Sequence, residues 1–411
     1  MKNVKAFTKL LTPEEARQVF ARAYTPSPLG TERVPLLGAL RRVLAEEIRA
    51  SADLPPFDRS TVDGYAVRAA DTAGASTGTP VTLTLVGEVL MGEDVQFRIE
   101  RGQAARIPTG GKLPEGADAV VMQEHTVRQD GVVSIEQPVK PDENLVRRGD
   151  DVNAGEVVLK PGRRLRPQDL GILAGLGVPE VEVHRRPRVA VIVTGDELVG
   201  PGVSVRGSQL RDVNTYTLSG LIEEIGCVPR PYGIVGDNLS VLSERAREAH
   251  RSTDALILSG GSSVGEKDVV TDAIAVLGEP GIVVHGISIR PGKPTILAVA
   301  NGKPVFGLPG NVVSAMVIFD QFVRPVLEGL AGLREARRFG ALKARLSTRL
   351  MTSDREDHVR VALTERAGTL WAVPLPGGSA ILTSMVRADG IVVVQPNTTL
   401  DEGAEVEVKL A

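Results

Sequence analysis

The stretch from about residue 180 to 330 alternates short, continuously apolar runs with segments of helical periodicity. The apolar runs read RVAVIVT, ALILSGG, PTILAVA and KPVFGLP, and the helical patterns NTYTLSGLIEEIG and LSVLSERAREAHR separate the first two. A strand that lacks polar alternation is buried on both faces, so these runs predict a mostly parallel sheet with helices on both sides. The sequence therefore predicts a central three-layer α/β domain at residues 179–332.

The rest of the chain predicts three further units. Helical periodicity predicts an elongated helical linker domain, residues 1–50 and 147–178, with helices over 13–24, 36–48 and 168–176. The start of the first helix is indicated by Thr12 as N-cap, Pro13 at the first helical position and Glu15 at the capping-box position. Short β-type runs punctuated by Gly, Pro and Asp predict a β-rich domain inserted at 51–146. Similar runs predict a small C-terminal β-barrel domain at 333–411.

The composition of the chain excludes several classes of protein and of site. With 411 residues, the chain is too long for one typical core, and its net charge of −3 offers no basic field for nucleic acid. No apolar stretch approaches the roughly 20 residues of a membrane span, and no secretory signal pattern is present, so we expect a cytoplasmic location. The single Cys227 excludes an internal disulfide and a cysteine-based zinc cluster.

Unusual loops stand at the ends of the predicted strands. They are TGDEL, SGGSSVGEKD, IRPGKP and GLPGN. Ligands of open α/β sheets bind outside the carboxyl ends of the strands, where glycine-rich backbone offers N–H groups to oxyanions. Arg290 and Lys293 add positive charge to one loop, whereas Glu197 and Asp268 add carboxylates to two others. Acids among anion-binding loops suggest a cation such as Mg²⁺ bridging them to a phosphate, so the sequence indicates phosphate chemistry.

The loop SGGSSVGEKD also matches two enzyme motifs, and both matches fail on chemistry. As the nucleophile of a serine hydrolase, Ser263 lacks a histidine in triad order, because His285 and His358 follow no suitable acid. As a phosphate-binding P-loop, the segment carries Glu266 where lysine is required. A purely structural role as turn or helix caps stays open for Thr194, Asp196, Asp268 and Asn311.

Seven motifs, in order, resemble the molybdopterin molybdenumtransferase family, which comprises bacterial MoeA proteins and the E domain of gephyrin. They are PPFDRSTVDGYAV, RIPTGGKLPEGADAVVMQE, RRGDDV, TGDEL, SGGSSVGEKD, IRPGKP and GLPGNVVSA. The resemblance implies an elongated homodimer whose α/β domain is related to the molybdopterin-binding adenylyltransferases. It also implies Mg²⁺-dependent insertion of molybdenum, with molybdate as a substrate, into adenylylated molybdopterin with release of AMP.

The resemblance further implies a site shared between subunits, in which Asp63 and Thr109 come from the partner's inserted domain. The implied catalytic residues are Asp63, Glu197, Asp237 and Asp268, with Glu197 and Asp268 as metal ligands. The implied substrate-binding residues are Thr109, Asp151, Thr194, Gly261, Ser263, Pro309 and Asn311. Molybdate would be bound by Arg290, Lys293, Pro294, Arg360 and Ser379.

Three positions depart from the family pattern: Arg59 stands for Asn, Arg290 for Lys and Val312 for Pro. Arg290 keeps the charge but replaces a point-like ammonium with a forked guanidinium, which bears on anion geometry and preference. Three alternatives stay open, namely a tungstate-specific insertase, the preceding molybdopterin adenylyltransferase and a non-catalytic gephyrin-like scaffold. That adenylyltransferase and proteins that deliver the cofactor to molybdoenzymes are also candidate partners.

Overall fold

The computed structural model describes residues 10–260, 268–334 and 340–410. Its centre is a six-stranded sheet in the order Val228–Val235, Arg188–Thr194, Ala255–Ser259, Lys303–Leu308, Ile296–Ala300 and Pro280–His285. The first four strands are parallel, and Ile296–Ala300 runs antiparallel to both of its neighbours. The mostly parallel sheet predicted from the apolar runs is therefore confirmed.

Successive residues of a strand point to opposite sides of the sheet, so continuously apolar strands make both faces apolar. Helices cover both of these faces. Val189 and Val191 face the layer that contains the helices Pro13–Ala23, Asn214–Glu224, Val312–Ile318 and Arg324–Leu330. Ala190 and Ile192 face the opposite layer, formed by the helices Leu239–Ser252 and Val269–Ala275. The domain therefore has the predicted three layers.

The helix Pro13–Ala23 belongs to this α/β core although its place in the sequence groups it with the linker domain. It starts with the predicted capping box, since Thr12 Oγ1 accepts the Glu15 N–H at 3.2 Å and the Glu15 carboxylate accepts the Thr12 N–H at 2.8 Å. Its buried Phe20 packs with the ring centroid 5.9 Å from that of Phe306. Its apolar face therefore lies against the central sheet.

The linker region contains less helix than the sequence predicts. The helix Pro167–Gly175 is present, but the prediction of a helix over 36–48 is wrong. That stretch forms a 3₁₀ helix, Leu36–Ala39, then turns and the strand Ile48–Arg49. The N–H groups of Arg41 and Leu44 donate to carbonyls of residues 165 and 163 instead of to the preceding turn. Long-range backbone pairing therefore overrides the helical periodicity.

Short strand pairs build the rest of the linker region. Thr31–Pro35 pairs with Glu180–His184, and Ile48–Arg49 pairs with Val157–Leu159. A small core between them contains Leu44, Leu159, Leu165, Leu173, Val181 and Val183. Of the apolar residues that suggested a helix, Ala39, Leu44 and Ile48 are buried in this core, whereas Leu37 and Leu40 are exposed.

The inserted domain contains a second six-stranded sheet. Its order is Ala119–Met122, Gly64–Val67, Gln103–Ile107, Val81–Glu88, Val132–Ile135 and Thr126–Gln129. Where the chain enters and leaves, Arg59–Ser60 pairs with Leu145–Val146, and the Asp53 carboxylate accepts a 2.5 Å hydrogen bond from Arg148 Nε. The β-rich insertion predicted from the sequence is therefore confirmed.

The C-terminal domain is a closed five-stranded barrel. It consists of Ala341–Leu346, Glu356–Arg366, Thr369–Pro374, Gly390–Val394 and Glu405–Leu410, with Glu356–Arg366 paired to both Thr369–Pro374 and Gly390–Val394. A strand of the preceding domain, Ile289–Arg290, pairs in parallel with Glu356–Arg366 and places Arg290 opposite Asp357. Backbone hydrogen bonding therefore fixes the barrel against the α/β domain.

Short elements complete the described ranges. They are the pair Leu198–Val199 with Leu210–Arg211, the pair Leu350–Met351 with Thr399–Leu400, the helix Thr383–Val386, the π-helical turn Phe319–Val323, and the 3₁₀ turns Ala69–Thr72 and Gln123–His125. None of the helices in these ranges has the length and apolar character of a membrane span.

Candidate functional site

A cavity of about 520 Å³ opens at the edge where the carboxyl ends of the four parallel strands meet. Residues that follow these strands line it, among them Gly195, Asp237, Gly260 and Gly310. The first residues of two helices, Asn214–Glu224 and Val312–Ile318, complete the wall. Strand ends and helix starts carry N–H groups that have no partner within their own element, so this edge suits anionic ligands.

Close backbone packing shapes the floor of this first cavity. Gly260 has a φ of +122°, and a Cβ added there would lie 2.1 Å from the carbonyl oxygen of Thr194. A side chain would therefore clash with the neighbouring strand, so glycine is required at this position.

A buried asparagine that the sequence analysis missed ties the loops of the first cavity together. Asn214 Nδ2 donates to Ser259 Oγ and to the Gly310 carbonyl, both at 2.8 Å, and Asn214 is 4% exposed. The buried Asp212, also missed, precedes the N-cap residue Val213 and accepts the Thr215 N–H from the first turn of the same helix at 3.0 Å. The signal was present, because Asp212 stands three residues before Thr215 at the start of a helical run.

Two of the predicted acids lie together at the first cavity. Glu197 and Asp237 both line it and are exposed. Thr194 Oγ1 donates to Asp237 Oδ1 at 2.8 Å, and the Asp237 N–H donates to Asp196 Oδ1 at 2.9 Å. Thr194 therefore orients one of the predicted catalytic carboxylates.

Asp268 caps a helix, which is the structural role that the sequence left open for it. It is the N-cap of the helix Val269–Ala275, with Oδ1 accepting the Thr271 N–H at 3.1 Å and Oδ2 accepting the Thr271 hydroxyl at 2.7 Å.

Within the described ranges, no cluster of three or more His, Cys, Asp or Glu side chains is arranged to hold a metal. The predicted residues Gly261 and Ser263, and also Glu266, lie outside the described residues.

A second cavity of about 590 Å³ lies between the α/β domain and the barrel. It shares Pro294, Pro309 and Asn311 with the first cavity, so the two adjoin. All five residues predicted to bind molybdate line it, namely Arg290, Lys293, Pro294, Arg360 and Ser379. The structure therefore brings this predicted group together from both domains.

Asn311 connects the two sides of the second cavity. Its Nδ2 donates to Ser379 Oγ at 2.9 Å, and the Val313 N–H donates to the Ser379 carbonyl at 3.1 Å. The Asn311 side chain makes no capping hydrogen bond to its own helix. The simple capping role considered for Asn311 is therefore not observed.

Arg360 brings a buried positive charge to the second cavity. The residue is 7% exposed, its Nη2 donates to the Gly377 carbonyl at 2.6 Å, and its Nε finds no hydrogen-bond acceptor in the described part of the chain. Burial lowers the pKa of Arg360, although a guanidinium stays protonated at neutral pH. A buried, incompletely paired cation favours the binding of an anion.

The inserted domain carries a prearranged pair, Asp63 and Thr109. Asp63 Oδ1 accepts the Thr109 N–H at 2.7 Å and the Thr109 hydroxyl at 3.0 Å. These two hydrogen bonds, the N–H first, hold the pKa of Asp63 below its ordinary value. Among the described residues of a single chain, Asp63, Thr109 and Asp151 line neither the first nor the second cavity.

Replacing Thr109 with valine tests the origin of the low pKa of Asp63. The variant loses the hydroxyl bond but keeps the N–H bond, so the pKa of Asp63 should rise toward its ordinary value without reaching it. Carboxyl NMR titration of aspartate-labelled protein measures this shift. Thr82→Val, on an exposed strand position, should leave the pKa of Asp63 unchanged; an unshifted pKa in Thr109→Val would contradict this origin.

Family models match successive parts of the chain. They describe the MoeA N-terminal region (domain I and II) over residues 11–177, a probable molybdopterin binding domain over 190–329, and the MoeA C-terminal region (domain IV) over 343–411. Together they span most of the described structure.

Similar proteins carry consistent names. The molybdopterin molybdenumtransferase of Haemophilus influenzae is 37% identical over 327 residues, which cover 79% of each chain. That of a Nostoc species is 40% identical over 306 residues, covering 74% of this chain and 70% of the relative. A solved MoeA structure from Pyrococcus horikoshii OT3 superposes with a TM-score of 0.82 at 30% identity, covering 98% of this chain and 100% of that one. The chain therefore belongs to the MoeA family of molybdopterin molybdenumtransferases.

Proposed function

We propose that this protein inserts molybdenum from molybdate into adenylylated molybdopterin and releases AMP, the last step of molybdenum cofactor biosynthesis. The observation that carries the proposal is the pair of adjoining cavities at the sheet edge. One is bordered by strand-end loops and acids, and the other by cations from two domains. The names of the relatives support the same reaction.

The first cavity would take the nucleotide and its phosphates. Its strand-end loops suit phosphate oxygens, and Glu197 and Asp237 are exposed at its wall. Mg²⁺ uses few protein carboxylates beside phosphate oxygens and waters. Glu197, which lines the first cavity, and Asp268, which lines neither cavity, would hold the ion. The cap bonds of Asp268 leave further lone pairs on its carboxylate. Bound Mg²⁺ would neutralise negative charge on the phosphate of the leaving AMP.

The second cavity would take the oxyanion. A tetrahedral dianion is best held by fixed cations and hydrogen-bond donors, which Arg290, Lys293 and Arg360 offer here. Because the cavities share Pro294 and Pro309, the oxyanion would bind close to the adenylylated substrate. The protein's contribution is then to position both reactants and to balance their charge.

We also propose a homodimer in which the partner's Asp63 and the partner's Thr109 complete the site. The support is that this prearranged pair lines neither of the two cavities described above for its own chain. Asp151 would lie near the same domain junction. The cytoplasmic location and the upstream and downstream protein partners stay predictions.

One observation weighs against the alternative of a molybdopterin adenylyltransferase. The barrel domain supplies a large part of the second cavity, including Arg355, Arg360 and Ser379. The adenylyltransferase family has the α/β domain alone, whereas family models of the MoeA N-terminal and C-terminal regions match the additional domains of this chain. A tungstate-specific insertase would use the same cavity and stays open.

Purified protein should release AMP from adenylylated molybdopterin in the presence of Mg²⁺, and molybdate or tungstate should stimulate the release. Chromatographic measurement of AMP tests this expectation, with sulfate as the oxyanion control. Failure of both oxyanions to stimulate AMP release would overturn the proposal. Comparison of their half-saturating concentrations would identify the preferred oxyanion.

Asp268→Asn separates the charge of this residue from its capping role. Asparagine caps helices as well as aspartate does, so the fold and thermal unfolding midpoint should be retained. Mg²⁺-dependent AMP release should fall on the order of 10- to 100-fold, as for weakened metal sites. Asp272→Asn, an exposed acid one turn along the same helix, should have no such effect. Wild-type turnover by Asp268→Asn would mean that Asp268 is only a cap.

A further inference from the structure

One acid stands among the cations of the second cavity. Of the described residues that line it, four are cationic and only Asp357 is an aspartate or glutamate; the cations are Arg290, Lys293, Arg355 and Arg360. The backbone fixes its position, because Asp357 pairs with Arg290 on one side and with Val394 on the other. The position of Asp357 in the cavity wall is therefore fixed by the backbone hydrogen bonding of the sheet.

The Asp357 carboxyl group is poorly satisfied by the protein groups around it. Asp357 is 7% exposed, and its Oδ1 is buried without a hydrogen-bond partner in the described part of the chain. Its Oδ2 lies 3.6 Å from Arg290 Nη1, which is longer than a hydrogen bond. Burial raises the pKa of Asp357, and the charge of Arg290 opposes this only in part.

The surrounding charges divide into two groups. The cations of the cavity favour the ionised form of Asp357, whereas Asp354 and the negative charge of an incoming oxyanion oppose it. The neighbouring Glu356 differs, since its carboxylate lies 2.9 Å from His358 Nε2 and this bond lowers the pKa of Glu356. The facing strand, Gly390–Val394, contributes no charged side chain. Asp357 is therefore the acid most sensitive to occupancy of the cavity.

We propose that Asp357 takes up a proton when a tetrahedral oxyanion binds and then donates a hydrogen bond to it. This inference rests on the proposed function. An oxyanion that pairs with Arg290 removes the ion-pair partner of Asp357 and places a like charge beside it, which disfavours the carboxylate. Molybdate and tungstate at neutral pH offer only acceptors, so a protonated carboxyl group complements them. Binding is then coupled to the uptake of one proton.

Calorimetric titration of the full-length protein with sodium molybdate tests this coupling. Titrations in buffers of different ionisation enthalpy, repeated over a range of pH, give the number of protons taken up. We expect wild-type protein to take up as much as one proton and its Kd to rise as much as about tenfold per pH unit once Asp357 is ionised in the free protein. Molybdate binding without proton uptake at any pH would overturn the inference.

Two matched variants assign the proton to its residue. Asp357→Asn should abolish the uptake, flatten the pH dependence of Kd and bind molybdate more tightly than wild type at high pH. Asp401→Asn removes the same charge from another side chain of the barrel domain, which is 81% exposed and lines neither cavity, so it should keep the wild-type coupling. Unchanged proton uptake by Asp357→Asn would also overturn the inference.

Two controls keep the outcomes distinct. Asp357→Asn replaces a poorly paired buried carboxyl group with a neutral isostere, so its thermal unfolding midpoint should be at least that of wild type at neutral pH. If molybdate stimulates AMP release but its binding is not linked to protons, this inference fails and the proposed function stands. If molybdate neither binds nor stimulates AMP release, both fail.

Discussion

Burial of the central sheet on both faces is the constraint on which the rest of the molecule depends. Alternate residues of each strand, such as Val191 and Ile192, enter opposite helical layers. Only the last residues of the strands, such as Thr194 and Ser259, reach the first cavity, so most binding groups must come from the loops that follow the strands. The close approach of Gly260 to Thr194 and the hydrogen bonds of Asn214 hold those loops in one arrangement.

Docking of the barrel against the α/β domain forms the second cavity and adds the cation Arg360 to it. The pairing of Ile289–Arg290 with Glu356–Arg366 and the hydrogen bond from Asn311 to Ser379 close a second cavity beside the first. Arg360 enters this cavity as a buried cation whose Nε–H group has no acceptor among the described residues, an arrangement that favours anion binding. Fold and charge therefore favour the same ligand class at this junction.

The sequence predicted those structural features that depend on the local pattern of apolar residues or on the charge of neighbouring residues. Continuous apolar runs predicted the sheet, Thr12 and Glu15 predicted the first helix, and the motif IRPGKP predicted cations that the structure places in one cavity. It failed at 36–48, where pairing with residues 163–165 outweighs helical periodicity. Buried groups such as Asn214 and Asp357 were missed, because their importance comes from neighbours that are distant in the sequence. For the same reason, local pattern could not decide between cap and metal ligand at Asp268.

Diffraction from crystals soaked with tungstate is the most direct test of the claim that the junction of sheet and barrel holds an oxyanion. Tungsten scatters anomalously, so its position can be found without reference to the surrounding density. We expect one strong anomalous peak in the second cavity, with oxyanion oxygens within hydrogen-bonding distance of Arg290, Lys293 and Arg360. A peak in another part of the molecule, with this cavity empty at concentrations that stimulate AMP release, would contradict the claim.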